Sequence, residues 1–331
     1  MTEASLPKAQ CVILQGSPRS GTTWLAKIID SDPSILYRHE PDSINVRPDI
    51  PFVPTVAEAE QNLQRVRDYI EQLGQERASK SAGSQPMFEK DYRGAGAELC
   101  RRLIVLALKS GEHLPAVGKI FTELQIPDFI RTGATVRPTL FIKSVSSLCR
   151  TYLFSQACPQ LKFIHIIRNP CAYVASTIRG KKLGLLSDDA YIETLASMPE
   201  AQQYGFDIET LSNMSRIEQL AARWMLQNSK VMDEMKGYAN YKQLIYEELC
   251  NAPGLVTSSI FEFLSLPMSE QTQRFIESSS MAKSGESRYF DLTRDSSAAA
   301  SSWRKELTEQ QIEDVKAVVS RSPAGQLYFA Q

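Results

Sequence analysis

Gly16-Ser-Pro-Arg-Ser-Gly21-Thr22-Thr23 sets two glycines five positions apart and follows them with two hydroxyl residues. The spacing matches the phosphate-binding pattern G-x-x-x-x-G-K-[ST] except where Thr22 stands in place of lysine. Main-chain amides of residues 19–23 are expected to converge on a phosphate there, helped by the start of the next helix. The hydroxyls of Thr22 and Thr23 would add donors. The missing lysine normally bridges the β- and γ-phosphates, so its loss argues against a triphosphate donor.

A second absence agrees. Users of ATP and GTP carry a strand-end aspartate for magnesium, but here the strand closes as Ile166-Ile167-Arg168-Asn169-Pro170. An arginine there repels a cation and invites a second, metal-free phosphate. Asn169 suits a helix cap and Pro170 the first helical position. Ser176 and Arg179 then share one helix face. With Arg168, whose planar fork suits a phosphate, they form a predicted second anion pocket.

Taken together, these segments resemble the sulfotransferases that use 3′-phosphoadenosine 5′-phosphosulfate (PAPS). Pro18-Arg-Ser-Gly-Thr-Thr-Trp-Leu25 looks like that superfamily's 5′-phosphosulfate loop. Phe163-Ile-His-Ile-Ile-Arg-Asn-Pro170 with Ser176 and Arg179 looks like its 3′-phosphate segment. Tyr246-Glu-Glu-Leu249 is similar to the family's Y-E-D-L element, and Trp303-Arg304-x-x-Leu307 to its W-R-x-x-L element. A bisphosphate-binding loop is expected near Ser287–Arg294. Arg19 stands where cytosolic phenol and hormone members have lysine, and no R-K-G-x-x-G loop is present. Both features point to the carbohydrate-type and bacterial branch.

The resemblance implies transfer of a sulfuryl group from PAPS to an acceptor hydroxyl or amine, such as that of a carbohydrate or small metabolite. Adenosine 3′,5′-bisphosphate (PAP) leaves, and no metal is required. The expected nucleotide contacts are Pro18, Arg19, Ser20, Gly21, Thr22, Thr23, Trp24, Arg168, Ser176 and Arg288. Such a transfer needs in-line positioning, stabilisation of charge on the leaving phosphate and removal of a proton. Arg19 is the first choice for the stabiliser. Lys143, at a strand end where α/β active sites lie, is the second; it also reads as a solvated strand terminus. Glu40, in Tyr37-Arg-His-Glu-Pro41, is the expected base, because the resemblance implies a glutamate in this region. His39 is the runner-up, with an ordinary pKa of about 6.5. Trp24 is either an adenine contact or a core aromatic, and Arg38 and Arg288 are further anion contacts or solvated charges. His165 and Trp224 read as buried structural residues.

These groups need a frame. The apolar run Cys11–Gln15 before Gly16, together with Thr139–Lys143, Lys162–Ile167 and Tyr241–Tyr246, predicts four strands. Helix-like segments at roughly 23–31, 145–157 and 170–179 follow the first three. This alternation predicts an α/β fold of the P-loop kind, three layers α/β/α around a central, mainly parallel sheet. Thr55-x-x-Glu58 predicts a capped helix with Leu63, Val66, Tyr69, Ile70 and Leu73 at helical spacing. Further helices are expected over 97–109 and 214–236, and one after Thr308-x-x-Gln311. Residues 79–86 and 281–302 read as loops and 181–213 as an irregular excursion. No linker divides residues 1–331, so one domain is expected. Segments of about 42–95 and 181–213 would supply the acceptor site and its cover. Their Arg47, Lys90, Arg93, Lys181 and Lys182 suit a polar or anionic acceptor.

Composition narrows the field. With 331 residues, 43% of them hydrophobic, the chain can bury a large core. A net charge of −1 gives no reason to expect nucleic acid as partner. Six cysteines without a C-x-x-C pair, and three histidines, favour neither a disulfide framework nor a metal centre. No apolar stretch is long enough to span a membrane and no signal segment is evident, so the expected location is the cytoplasm. Oligomeric state stays open. Two other readings remain: a P-loop kinase-like phosphotransferase, and a non-catalytic nucleotide-binding protein. A serine hydrolase is disfavoured, because Pro18 breaks the G-x-S-x-G spacing.

Overall fold

The computed structural model describes residues 10–114, 117–131, 137–183, 191–280 and 300–329. Five strands form one sheet: β1 Cys11–Gln15, β2 Ile35–His39, β3 Thr139–Ser144, β4 Lys162–Ile167 and β5 Tyr241–Ile245. Their order is β2-β3-β1-β4-β5 and every pairing is parallel. Parallel strands are covered on both faces, so they read as continuous apolar runs. Val12, Ile13 and Leu14 of β1 are accordingly all buried. Their side chains alternate. Ile13, Ile142 and Phe163 pack with Tyr69, Ile70 and Phe154 on one face. Val12, Leu14, Phe141 and Ile164 pack with Leu25, Ile28 and Ile260 on the other. Burying one such side chain contributes about 1.5–3 kcal/mol.

β2 is the strand that periodicity did not mark. Arg38 interrupts its apolar pattern, yet this arginine is buried because its guanidinium pairs with Asp128 at 2.6 Å and donates to Gly74 O and Tyr37 O. Its charge is spent inside the fold, which corrects its reading as an anion contact or solvated charge.

The expected helix ends hold. Thr55–Glu58, Ser215–Glu218 and Thr308–Gln311 form capping boxes, and Asn169 Oδ1 accepts from the amides of Cys171 and Ala172 with Pro170 at the first helical position. The helix after Thr55 breaks at Asn62 into Val56–Gln61 and Leu63–Gln75. Two expectations are corrected. Residues 79–82 form a short helix rather than loop. The described part of 181–213 is mainly helical: Pro170–Lys182 ends in it, and Ile192–Ala196, Pro199–Gln203 and Ile208–Asn213 follow. The last three are too short to show a period, and they are held by burying Leu195, Ala201 and Leu211 in a cluster with Trp224. Most of the loop expected over 281–302 lies outside the described residues. Among the described residues no helix is long and apolar enough to cross a membrane.

Candidate active site

β1 lies at the centre of the sheet, where the strand order reverses and α/β proteins open a ligand crevice at the carboxyl ends. Gly16 begins the turn there. A Cβ on it would stand 2.6 Å from the Ile166 carbonyl, so only glycine lets β4 come this close. Gly21 ends the turn at φ +83° and caps helix Thr22–Asp30; its added Cβ would meet the Tyr246 ring at 2.3 Å. The Ser20 amide bonds to Ser17 O at 3.1 Å. It is therefore not one of the amides offered to a ligand, a correction to the expected run 19–23. The Ser20 hydroxyl, in contrast, is buried without a hydrogen-bond partner. Thr22 is buried, Thr23 exposed, and Pro18, Arg19 and Gly21 half-buried.

Three predicted residues meet at this turn. Arg168 Nη1 donates to Arg19 O at 2.8 Å, and Arg19 Nε donates to Ser176 Oγ at 3.1 Å. The end of β4 and the glycine turn are thus one wall. Arg168 is buried and its guanidinium lies 4.8 Å from the Tyr246 ring centre. Arg179 pairs with Glu306. Arg288 lies outside the described residues. Trp24 is 8% exposed, donates to Ser279 Oγ at 3.2 Å and meets Tyr246 edge to face, which makes it a core aromatic.

Helix Arg216–Glu234 buttresses this wall through two residues. Trp224 Nε1 donates to Arg168 O at 3.0 Å. Asn228 Nδ2 donates to Ser17 Oγ at 3.1 Å, and its Oδ1 faces His165 Nε2 at 2.9 Å. His165 is buried and neutral, its pKa pushed down to about 4 by burial. Asn228 escaped sequence reading, although its place one turn after Trp224 on an amphipathic helix was its signal. The Y-E-E-L element acquires a physical role as well. Tyr246 underlies Arg168, while Glu247 accepts from the Asn169 amide at 3.0 Å and from Tyr328 OH at 3.1 Å.

A second constellation sits at the ends of β2 and β3. Register pairs His39 with Lys143, and the Glu40 amide donates to Lys143 O at 2.8 Å. The Lys143 ammonium is ion-paired with the Glu40 carboxylate. Lys143 is 2% exposed, which replaces its reading as a solvated strand terminus. Burial is the largest influence and would raise the Glu40 pKa, but the charge and hydrogen bond of Lys143, with smaller help from His39 and Lys80, together leave the carboxyl below its usual range. Burial, helped by Lys143, drives His39 down to about 3, and its Nδ1 bonds Tyr37 OH at 2.7 Å. Asp42 was not foreseen. Its Oδ2 accepts from Ser144 Oγ and, at 2.9 Å, from Ser147 Oγ, while Oδ1 is buried with no partner. Burial raises its pKa.

Backbone strain falls on the same residues. Arg19 at φ +72° and Glu40 at φ +45° are two of five non-glycine residues with positive φ among the described residues. Such conformations cost of order 1–3 kcal/mol and cluster at functional sites. The two segments expected to form a cover touch through Phe52 and Tyr191, whose rings stack with centres 6.1 Å apart. Lys90 and Arg93 do not face an acceptor, because buried Asp30 and Glu98 hold them.

Among solved structures, a sulfotransferase from Alicyclobacillus acidocaldarius is 14% identical, with 95% of this chain and 92% of that one covered and a TM-score of 0.43. A mouse sulfotransferase complexed with PAP is also 14% identical, with 96% and 87% covered and a TM-score of 0.43. One from Mycobacterium avium is 13% identical, with 94% and 76% covered and a TM-score of 0.41. The sequence profile described as "Sulfotransferase family" matches residues 11–270, a span holding the glycine turn, Arg168, Ser176 and the Glu40–Lys143 pair. On the strength of that match, the chain belongs to the sulfotransferase family.

Proposed function

We propose that this sulfotransferase moves a sulfuryl group from PAPS to a hydroxyl or amine of its acceptor by in-line displacement. The observation that carries the reading is the bond from Arg168 to the Arg19 carbonyl, which joins two anion-binding elements into one wall. A nucleotide with phosphates at both its 3′ and 5′ positions matches such a wall. The residues present fit the donor. The Ser20 hydroxyl is an orphaned buried donor, and Gly21, Thr22 and Thr23 open a helix whose first amides have no partner within it.

The donor supplies an activated sulfuryl group on a phosphate leaving group. Arg19 stabilises the charge that the departing phosphate gains. Arg168 and Ser176 bind the other phosphate. Glu40 takes the proton from the acceptor, and Lys143 holds Glu40 ionised and aimed. His39, neutral and bonded to Tyr37, orients the strand end. Asp42, anchored by Ser144 and Ser147, lines the acceptor side. Residues 42–95 and the described parts of 181–213 cover that side of the cleft.

Calorimetry tests the donor. Adenosine 3′,5′-bisphosphate is expected to bind without added metal and more tightly than ATP with magnesium; the opposite order overturns the proposal in favour of a kinase-like phosphotransferase. Transfer of radiolabel from PAPS to an acceptor panel tests catalysis. Binding with no turnover on any acceptor class would indicate a non-catalytic nucleotide-binding protein.

A further inference from the structure

Away from the glycine turn, a cavity of about 20 Å³ lies between β2, the end of helix Thr22–Asp30 and helix Ala95–Gly111. A void of roughly 10–15 Å³ already holds a water molecule. Asp30, Tyr37, Phe88, Lys90, Arg93 and Arg101 contribute to its walls.

The charges around it do not balance. Lys27 and Lys90 are both buried and share one carboxylate: Lys27 Nζ lies 2.7 Å from Asp30 Oδ2 and Lys90 Nζ 3.0 Å from Asp30 Oδ1. Of the other nearby acids, buried Asp32 accepts from the Ser34 amide and hydroxyl and from the Ser269 amide, and two more are paired with arginines. Glu98 is paired with Arg93 at 3.0 Å and Asp128 with Arg38 at 2.6 Å. Arg101 is buried as well. Its Nη2 donates to Ala82 O at 2.5 Å, while its Nε has no hydrogen-bond partner. Lys90 and Arg101 line the cavity together with Asp30, whose carboxylate Lys27 also shares, so cationic charge is in excess beside this space.

A guanidinium does not deprotonate inside a protein, so the Arg101 charge is permanent. Neutralising a lysine would weaken a charge-assisted bond to Asp30 and leave the Arg101 Nε–H unmatched. A small anion in the void answers both needs. It offsets the surplus charge and accepts from Nε.

We propose that this cavity is a binding site for a single halide-sized monovalent anion. The single unpartnered donor, Arg101 Nε, suits a simple halide such as chloride or bromide. Burial holds Lys27 and Lys90 below the ordinary ammonium range, and a bound anion opposes that shift. The bound ion fastens residues 84–93 to β2. It also lies close to the site's own strand, since Lys27 Nζ sits 5.1 Å from the Tyr37 ring centre and Tyr37 OH bonds His39.

The test uses the full-length protein. Crystals soaked in sodium bromide are expected to show an anomalous peak within hydrogen-bonding reach of Arg101 Nε, and its absence, with only water density there, overturns the proposal. In solution, the wild type is expected to melt at a higher temperature in sodium chloride than in sodium gluconate of equal ionic strength. That difference should vanish in Arg101→Met. Equal melting in the two salts for the wild type counts against the site, and the bromide map decides the matter even if Arg101→Met does not fold.

Discussion

Arg168 Nη1 reaches across 149 residues of sequence to the carbonyl of Arg19, at 2.8 Å. The arginine that closes β4 and the strained arginine of the glycine turn are thereby fixed relative to one another. Tyr246 supports the first from below, and Ser176 accepts from the second at 3.1 Å. The proposed donor site is therefore set by folding, before any nucleotide arrives, which is the condition for strong electrostatic stabilisation of a leaving group.

Replacing Arg168 should expose this arrangement directly. Arg168→Met is expected to weaken binding of adenosine 3′,5′-bisphosphate by about 10–100-fold, the scale of a lost charge-assisted contact of about 1.5–3 kcal/mol. Arg168→Lys keeps the charge but loses the planar fork, so its affinity should fall between the two. Titration calorimetry measures both. Unchanged affinity in Arg168→Met would remove Arg168 from the nucleotide site.

Gly21→Ala probes the turn itself. The substitution meets φ +83° and puts a methyl group 2.3 Å from ring carbons of Tyr246, the residue beneath Arg168. A left-handed alanine costs about 1–2 kcal/mol before any clash. The urea midpoint should drop by at least that equivalent, and bisphosphate affinity should fall with it, because the ring that moves also carries Arg168. Full stability and full affinity together would mean the turn is more plastic than its geometry implies.

His165 governs part of the acid stability. Its pKa falls from 6.5 to about 4 in the folded chain because it is buried between Tyr241 and Asn228. Between those values the unfolded chain binds more protons than the folded one, so stability rises with pH across the window and is lost on acidification. The full shift is worth roughly 3 kcal/mol. Urea midpoints measured from pH 7 down to 4.5 should decline in the wild type. They should decline less steeply in His165→Gln, whatever that variant's stability at neutral pH. An identical slope in the two proteins would contradict a buried neutral histidine.

Much of this frame was legible beforehand because its signals are local. Glycine spacing marked the turn, and apolar runs marked β1, β3, β4 and β5. β2 was not legible, since Arg38 breaks its pattern and is accommodated by Asp128, 90 residues away. The same holds for the partnership of Glu40 with Lys143, separated by 103 residues. Both residues could be chosen singly, from a loop position and a strand end, but their pairing depends on β2 lying beside β3 in one register. Asn228 and Asp42 were missed for a related reason. Each works through neighbours that only the packed sheet and helices assemble.

That Glu40–Lys143 pair makes the sharpest mechanistic prediction. Glu40→Gln removes the proposed base while keeping its shape, and should slow turnover by about 10²-fold or more with folding intact. The two candidate bases then separate by pH. Lys143 holds the Glu40 pKa below the carboxylate range, so the acid limb of wild-type kcat/KM should lie below that range. In Lys143→Met the main opposing charge and its hydrogen bond are gone, and burial dominates Glu40. Its pKa rises, and the acid limb should move to higher pH. His39→Gln should leave the position of that limb in place, because His39, held down to about 3, is already neutral throughout the assay range. A kcat/KM profile for each variant checks the three outcomes. If His39→Gln abolishes the limb and Glu40→Gln leaves turnover untouched, the proton passes to the imidazole and the carboxylate only positions Lys143.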